Sequence, residues 1–109
     1  MGQHNLRVDV KYIAERDLLE ALEFLREESP NAALRFVDAV EKTLGDLSKM
    51  PGIGSMYEFS NPRLQGLRRC RINDFEKYLF FYRVEYDAVV IHRVIYGVRN
   101  IPSVFDEEP

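Results

Sequence analysis

The sequence predicts an α+β domain, with an antiparallel helical hairpin packed on one face of a small, mainly antiparallel sheet. Three observations predict it. Residues 14–49 keep a helical apolar period, broken only at Ser29-Pro30. Residues 67–96 are strand-like throughout and are interrupted by two short turns. A single alternating segment, residues 7–13, precedes the helices. The order is therefore β-α-α-β-β-β, and short connections between consecutive strands imply an antiparallel meander.

In the first segment Val8, Val10 and Tyr12 point one way, and Arg7, Asp9 and Lys11 the other. The first helix runs from Ala14 to Glu28. Ala14, Leu18, Ala21, Leu22 and Leu25 form its apolar stripe, with Leu19 and Phe24 on the flanks. Ser29 is a good N-cap and Pro30 suits a first helical position, so one helix stops and the next starts there. The second helix carries Ala33, Phe36, Val37, Val40, Leu44 and Leu47 on one stripe, and Pro51-Gly52-Ile53-Gly54 ends it. Residues 52–65, rich in Gly, Ser, Asn and Pro, read as a loop. Strands follow at Leu67–Ile72, Lys77–Tyr86 and Val89–Tyr96, with turns at Asn73–Glu76 and Glu85–Ala88. Tyr78, Phe80 and Tyr82 share one strand face, which marks that face as core. Residues 1–6 and 106–109 are expected to be flexible ends of a single domain spanning 1–109.

Composition narrows the class. The 109 residues are 46% hydrophobic and 30% charged, too apolar for a disordered chain and enough for one core. No apolar run approaches the roughly 18–20 residues that span a bilayer, so no membrane association is expected. The polar start lacks the apolar stretch of a signal peptide. Cys70 stands alone, which excludes an internal disulfide and a cysteine metal cage, and the expected compartment is the cytoplasm. The spacing of His and acidic residues suggests no metal site, and no glycine-rich phosphate loop or other cofactor motif is present.

Charge is unevenly distributed along the chain. The net charge is −3, which argues against a dedicated nucleic-acid binder and leaves direct nucleic-acid contact open. Residues 61–100 nevertheless carry eight basic side chains against four acidic ones, and seven of the eight are Arg. Arginine offers a planar fork of donors suited to carboxylates and phosphates. Arg68, Arg69, Arg71, Arg83 and Arg99 are therefore the candidate partner-binding residues. The plainer reading of the same pattern is a sheet whose solvent face happens to be basic.

Catalysis has a narrower basis. RNA cleavage would need a base, a cation over the phosphate and an acid for the leaving oxygen. Arg93 and Arg99 could serve the phosphate, and Tyr96 or His92 could move the proton. Alternation places His92, Val94 and Tyr96 on one face and Ile91, Arg93 and Ile95 on the other, so the set does not converge within the strand. A mid-strand histidine is more often structural, and Cys70 reads as a small core residue. His4 is assigned no role.

Three runs carry a family resemblance: Gly66-Leu67-Arg68-Arg69, Tyr78-Leu79-Phe80-Phe81-Tyr82-Arg83, and Arg93-Val94-Ile95-Tyr96-Gly97-Val98-Arg99-Asn100. With the two helix openings at Ala14–Leu18 and Ser29–Phe36, the chain resembles the ParE/RelE superfamily of bacterial type II toxins over residues 7–105. The resemblance implies a growth-arresting toxin neutralised by a cognate ParD- or RelB-like antitoxin whose disordered tail folds onto it. ParE-like members, the plasmid-stabilisation type, poison DNA gyrase. RelE-like members cut mRNA on the ribosome. Against the RelE pattern, Leu79 stands where a functional Arg is expected, Phe105 where a Tyr is expected, and Tyr96 where the closing strand has His; Arg99 matches. The resemblance therefore implies a ParE-like gyrase inhibitor that acts by binding. The alternatives are a ribosome-dependent endoribonuclease using Arg99, Tyr96 and Arg93, or a non-toxic module that only binds its antitoxin.

Overall fold

The computed structural model describes residues 5–56 and 62–97. Strand β1 is Arg7–Val10, helix α1 Tyr12–Glu28 and helix α2 Pro30–Lys49. Strands β2 (Ser55–Met56), β3 (Arg68–Ile72), β4 (Phe75–Glu85) and β5 (Ala88–Tyr96) follow, with single 3₁₀ turns at Pro51–Ile53 and Pro62–Leu64. They form one five-stranded sheet in the order β1-β5-β4-β3-β2. β1 runs parallel to β5, and every other pairing is antiparallel. The α+β architecture expected from the periodicities is the one observed.

One residue joins the two helices. The Ser29 N–H closes α1 on the Leu25 carbonyl at 2.8 Å, and its hydroxyl accepts from Ala32 N at the start of α2. Pro30 then occupies the first turn, where a missing N–H costs nothing. The helices meet the sheet through small residues, Ala14, Ala21 and Ala39, around one large wedge, Phe36. Phe36 packs edge-on against Phe75 and tilted against Tyr78, both at 5.1 Å between ring centres. Phe80, Tyr82, Val89 and Ile91 complete this core from the sheet. Thr43 on α2 donates to the Ala39 carbonyl and accepts from Asn73 N, which fixes the β3–β4 turn under the helix.

Three local readings change. Tyr12 is not the third inward residue of a strand: it opens α1 and is 75% exposed, because β1 ends at Val10 and the chain turns into the helix at Lys11. The loop after α2 contains a short edge strand, β2, paired with β3 through Ser55–Arg69 and Met56–Arg68. Two residues are too few to show a strand period in sequence. Leu6, at the edge of the expected flexible start, exchanges hydrogen bonds with Ser48: its N–H donates to the Ser48 carbonyl and its carbonyl accepts from the Ser48 hydroxyl. Residues 1–4 and 106–109 lie outside the described residues.

The Tyr82 hydroxyl latches the chain leaving α2 onto the sheet. It donates to the Pro51 carbonyl at 2.7 Å and accepts from Gly54 N at 2.8 Å. Arg68 Nη1 donates to the Gly54 carbonyl at 2.7 Å. A Cβ at Gly54 would lie 2.5 Å from that hydroxyl and 2.7 Å from the Arg69 carbonyl, so the close approach requires glycine. Tyr82→Phe leaves the Gly54 N–H and Pro51 carbonyl without their partner, at about 1–3 kcal/mol. Gly54→Ala is expected to cost more than Tyr82→Phe, and urea unfolding of the two variants checks both magnitude and order.

Candidate functional sites on the outer sheet face and beside α1

Cross-strand pairing sorts the arginines. Arg68 pairs with Tyr82 and so lies on the helix-facing side, where it holds Gly54. Arg69 pairs with Phe81 and Arg71 with Leu79, which places both on the outer face. Phe81, Leu67 and Ile95 form a second, smaller apolar cluster there, with Leu64 and Leu79 packed against it. Arg83 projects to the same face by alternation from Phe81. Its guanidinium donates to Glu85 at 2.9 Å and to the Gln65 carbonyl at 2.8 Å. The single basic face read from sequence is thus divided: Arg69, Arg71 and Arg83 share the outer side, and Arg68 does not. Arg99 and Phe105 lie outside the described residues.

A cleft runs along the outer sheet edge, lined by Arg69, Arg71 and Lys77, by Leu79, and by Ser55 of β2 and Gly97 after β5. Three cations among its walls suit carboxylate or phosphate groups. The pairing of Arg71 with Glu76 is loose, at 4.0 Å with both side chains well exposed. Burial pushes the Cys70 thiol above its usual range, with a smaller push from Asp46, which fits a packing residue rather than a nucleophile. Among the described residues no group of His, Cys, Asp and Glu is placed to hold a metal ion.

The candidate cleavage residues sit elsewhere, and a β-bulge decides where. Phe81 pairs with Arg93 and Tyr82 with Ile91, so His92 is an extra residue in β5. Below it Val89 and Ile91 face the helices; above it Val94 does. The expected alternation fails at this point. His92 turns to the outer face with Arg83 and Glu85, while Val94 packs in the helix-side core and Ile95 joins the outer cluster. Arg93 meets α1: its guanidinium donates to both Asp17 oxygens, at 2.8 and 3.1 Å, and Val94 N donates to the same carboxylate at 2.9 Å. The pair is nearly buried, with side chains 9% and 13% exposed. Tyr96 is 46% exposed and packs on Tyr78 at 4.7 Å. Arg93 and Tyr96 therefore line one groove beside α1, with Asp17, Glu20 and Phe24. Periodicity alone puts them on opposite faces. Asp17, Lys11 and Glu85 carry no sequence signal, because Arg93 and His92 reach them only through strand pairing and the packing of α1 on β5.

The comparisons with known proteins agree on the class. A family model described as the ParE toxin of the type II toxin–antitoxin system parDE matches residues 9–101, and this chain belongs to that family. A chromosomal ParDE toxin–antitoxin system from P. aeruginosa shares its fold at a TM-score of 0.68 and 18% identity, covering 87% of this chain and 99% of the other. The RelBE2 toxin–antitoxin complex from Mycobacterium tuberculosis matches at a TM-score of 0.57 and 26% identity, covering 84% and 98%. No curated protein gives a significant match. The chain is thus a type II toxin of the ParE/RelE fold. None of its described helices is long and apolar enough to cross a membrane.

Removing one member of a buried ion pair strands the other charge. Asp17→Ala is expected to lower stability by about 3–5 kcal/mol while unfolding stays cooperative. A urea titration followed by far-UV circular dichroism checks it.

Proposed function

We propose that this toxin acts by binding DNA gyrase in the cytoplasm, and that a cognate ParD- or RelB-like antitoxin neutralises it. The observation that carries the reading is the ParE family match across residues 9–101. The site geometry supports binding over cleavage. Arg93 is committed to Asp17, and His92 to Glu85 and Lys11. Leu79, on the wall of the outer-face cleft, stands where the RelE resemblance implies an Arg. The antitoxin contacts proposed are Arg69, Arg71 and Arg83 on the outer face, with Arg99 beyond the described residues and Arg68 on the helix-facing side of β3. A clustered cationic surface suits an acidic, amphipathic segment that orders on binding.

A second reading, ribosome-dependent mRNA cleavage, is favoured by the likeness to the RelBE2 complex. Purified protein decides between them when gyrase supercoiling and cleavage-complex formation are assayed beside mRNA integrity in cell-free translation. Inhibited gyrase with intact message is the expected result. Cut message that is lost in Arg99→Ala or Tyr96→Phe would establish the nuclease instead. Neither effect, with tight antitoxin binding, would leave a module that only binds. The double variant Arg69→Ala/Arg71→Ala is expected to fold normally and to bind antitoxin about tenfold more weakly, a loss of ~1.4 kcal/mol readable by calorimetry.

A further inference from the structure

His92 is buried on the outer face of β5, and it bridges two parts of the chain far apart in sequence. On one side Lys11, the residue between β1 and α1, lies 3.3 Å from its Nδ1. On the other, its Nε2 is 2.6 Å from Glu85 at the end of β4. The ammonium of Lys11 can only donate, so Nδ1 accepts and the ring proton sits on Nε2, donating to Glu85. Glu85 also accepts from Arg83 at 2.9 Å, and Arg83 reaches on to the Gln65 carbonyl. The charged groups facing the ring are thus Lys11 from the β1–α1 junction and Glu85 and Arg83 from β4. Arg7 and Asp9 of β1 pair with each other.

This arrangement holds a neutral imidazole. A second ring proton would appear on Nδ1, pointing at the Lys11 ammonium. The hydrogen bond there would be lost and replaced by two facing donors and two like charges. The Glu85 side would only strengthen. Protonation therefore acts on one contact and spares the other.

We propose that His92 is a proton-sensitive tether, which when neutral holds the start of α1 to the β4–β5 hairpin through Lys11 and Glu85, and when protonated releases Lys11. The tether spans the one place where the edge strand β1 passes into α1. The adjoining backbone bond, Lys11 N–H to the Ile91 carbonyl at 3.0 Å, is the local element that loosens.

The titration of the ring agrees with the geometry. Burial holds His92 below its ordinary value of 6.5; the Glu85 hydrogen bond opposes that, and the Lys11 charge adds to it. Between 6.5 and the lower folded midpoint, the opened state binds a proton that the closed state does not. Stability of the junction is full above that window and falls as pH drops through it. Glu85 acts lower: burial raises its carboxyl, but hydrogen bonds from His92 and Arg83 outweigh burial and hold it below 4.5. Its own loss of stabilisation therefore begins only below 4.5.

The test follows the His92 ring resonance by NMR from pH 8 to 4, assigned by its absence in His92→Gln. In the wild type the midpoint is expected below 6.5. Lys11→Met changes an exposed residue, leaves the fold intact and is expected to raise the midpoint; Glu85→Gln is expected to lower it. Amide exchange at Lys11, corrected for intrinsic rate, should rise by up to about tenfold for each unit the pH falls through the window in the wild type. In Lys11→Met that dependence should shrink. A His92 midpoint that ignores Lys11→Met, or exchange at Lys11 that is flat across the window, would overturn the tether.

Discussion

The packing of helices on the sheet in this fold depends on the register of β5. This strand pairs with the parallel edge strand on one side and with β4 on the other, and α1 lies over it. Its register therefore fixes which side chains meet the helices. A strand of nine residues with strict alternation would bury one set and expose the other. The extra residue at His92 reverses the alternation part-way, so Val89, Ile91 and Val94 all reach the helix-side core. Two neighbouring polar side chains then leave the bulge into different surroundings. Arg93 finds Asp17 on α1, and His92 finds Lys11 and Glu85. Buried polar groups are tolerable only with partners, so each bond also pins the bulge and the elements around it.

The far side of the sheet is fixed by a different device. Tyr82 has its ring in the core and its hydroxyl at the end of α2, where it holds Pro51 and Gly54. Because Arg68 holds the same glycine from β3, the chain leaving α2 must run along the sheet edge and supply β2. One side of the cleft near Arg69 and Arg71 is built this way, from the backbone that Tyr82 captures. Packing in the helix-side core thus shapes the outer surface.

Much of this was legible in sequence because it depends on short-range pattern. The helical period of residues 14–49, the Ser29-Pro30 break and the aromatic face of Tyr78, Phe80 and Tyr82 each encode their own burial. The bulge was not legible. A single inserted residue leaves composition and β-propensity unchanged and alters only pairing, which is a property of two strands. Strict alternation puts His92 with Val94, which the bulge undoes, and it separates Arg93 from Tyr96, which Asp17 of α1 undoes by drawing the guanidinium to the helix. Tyr12 was misplaced for a similar reason, since alternation continues into the first turn of α1 by coincidence. The arginines of β3 are plain in the sequence, but only their pairing with β4 shows that Arg68 faces the helices and Arg69 the other way.

The two kinds of ion pair in this molecule differ in a way that bears on recognition. Arg93 and Asp17 are nearly buried and share three hydrogen bonds with the backbone included, so a partner cannot exchange for either without opening the core. Arg71 and Glu76 meet at 4.0 Å in water, where such a pair contributes little. A carboxylate from a binding segment can replace Glu76 against Arg71 at small cost, gaining in exchange a contact that binding desolvates. The exposed Arg71–Glu76 contact is therefore weak, while the frame beneath it is held by strong pairings such as Arg93–Asp17. If the proposed antitoxin contact falls at Arg71, exchanging this weak pair leaves the buried Arg93–Asp17 pair, and the α1–β5 packing it holds, in place.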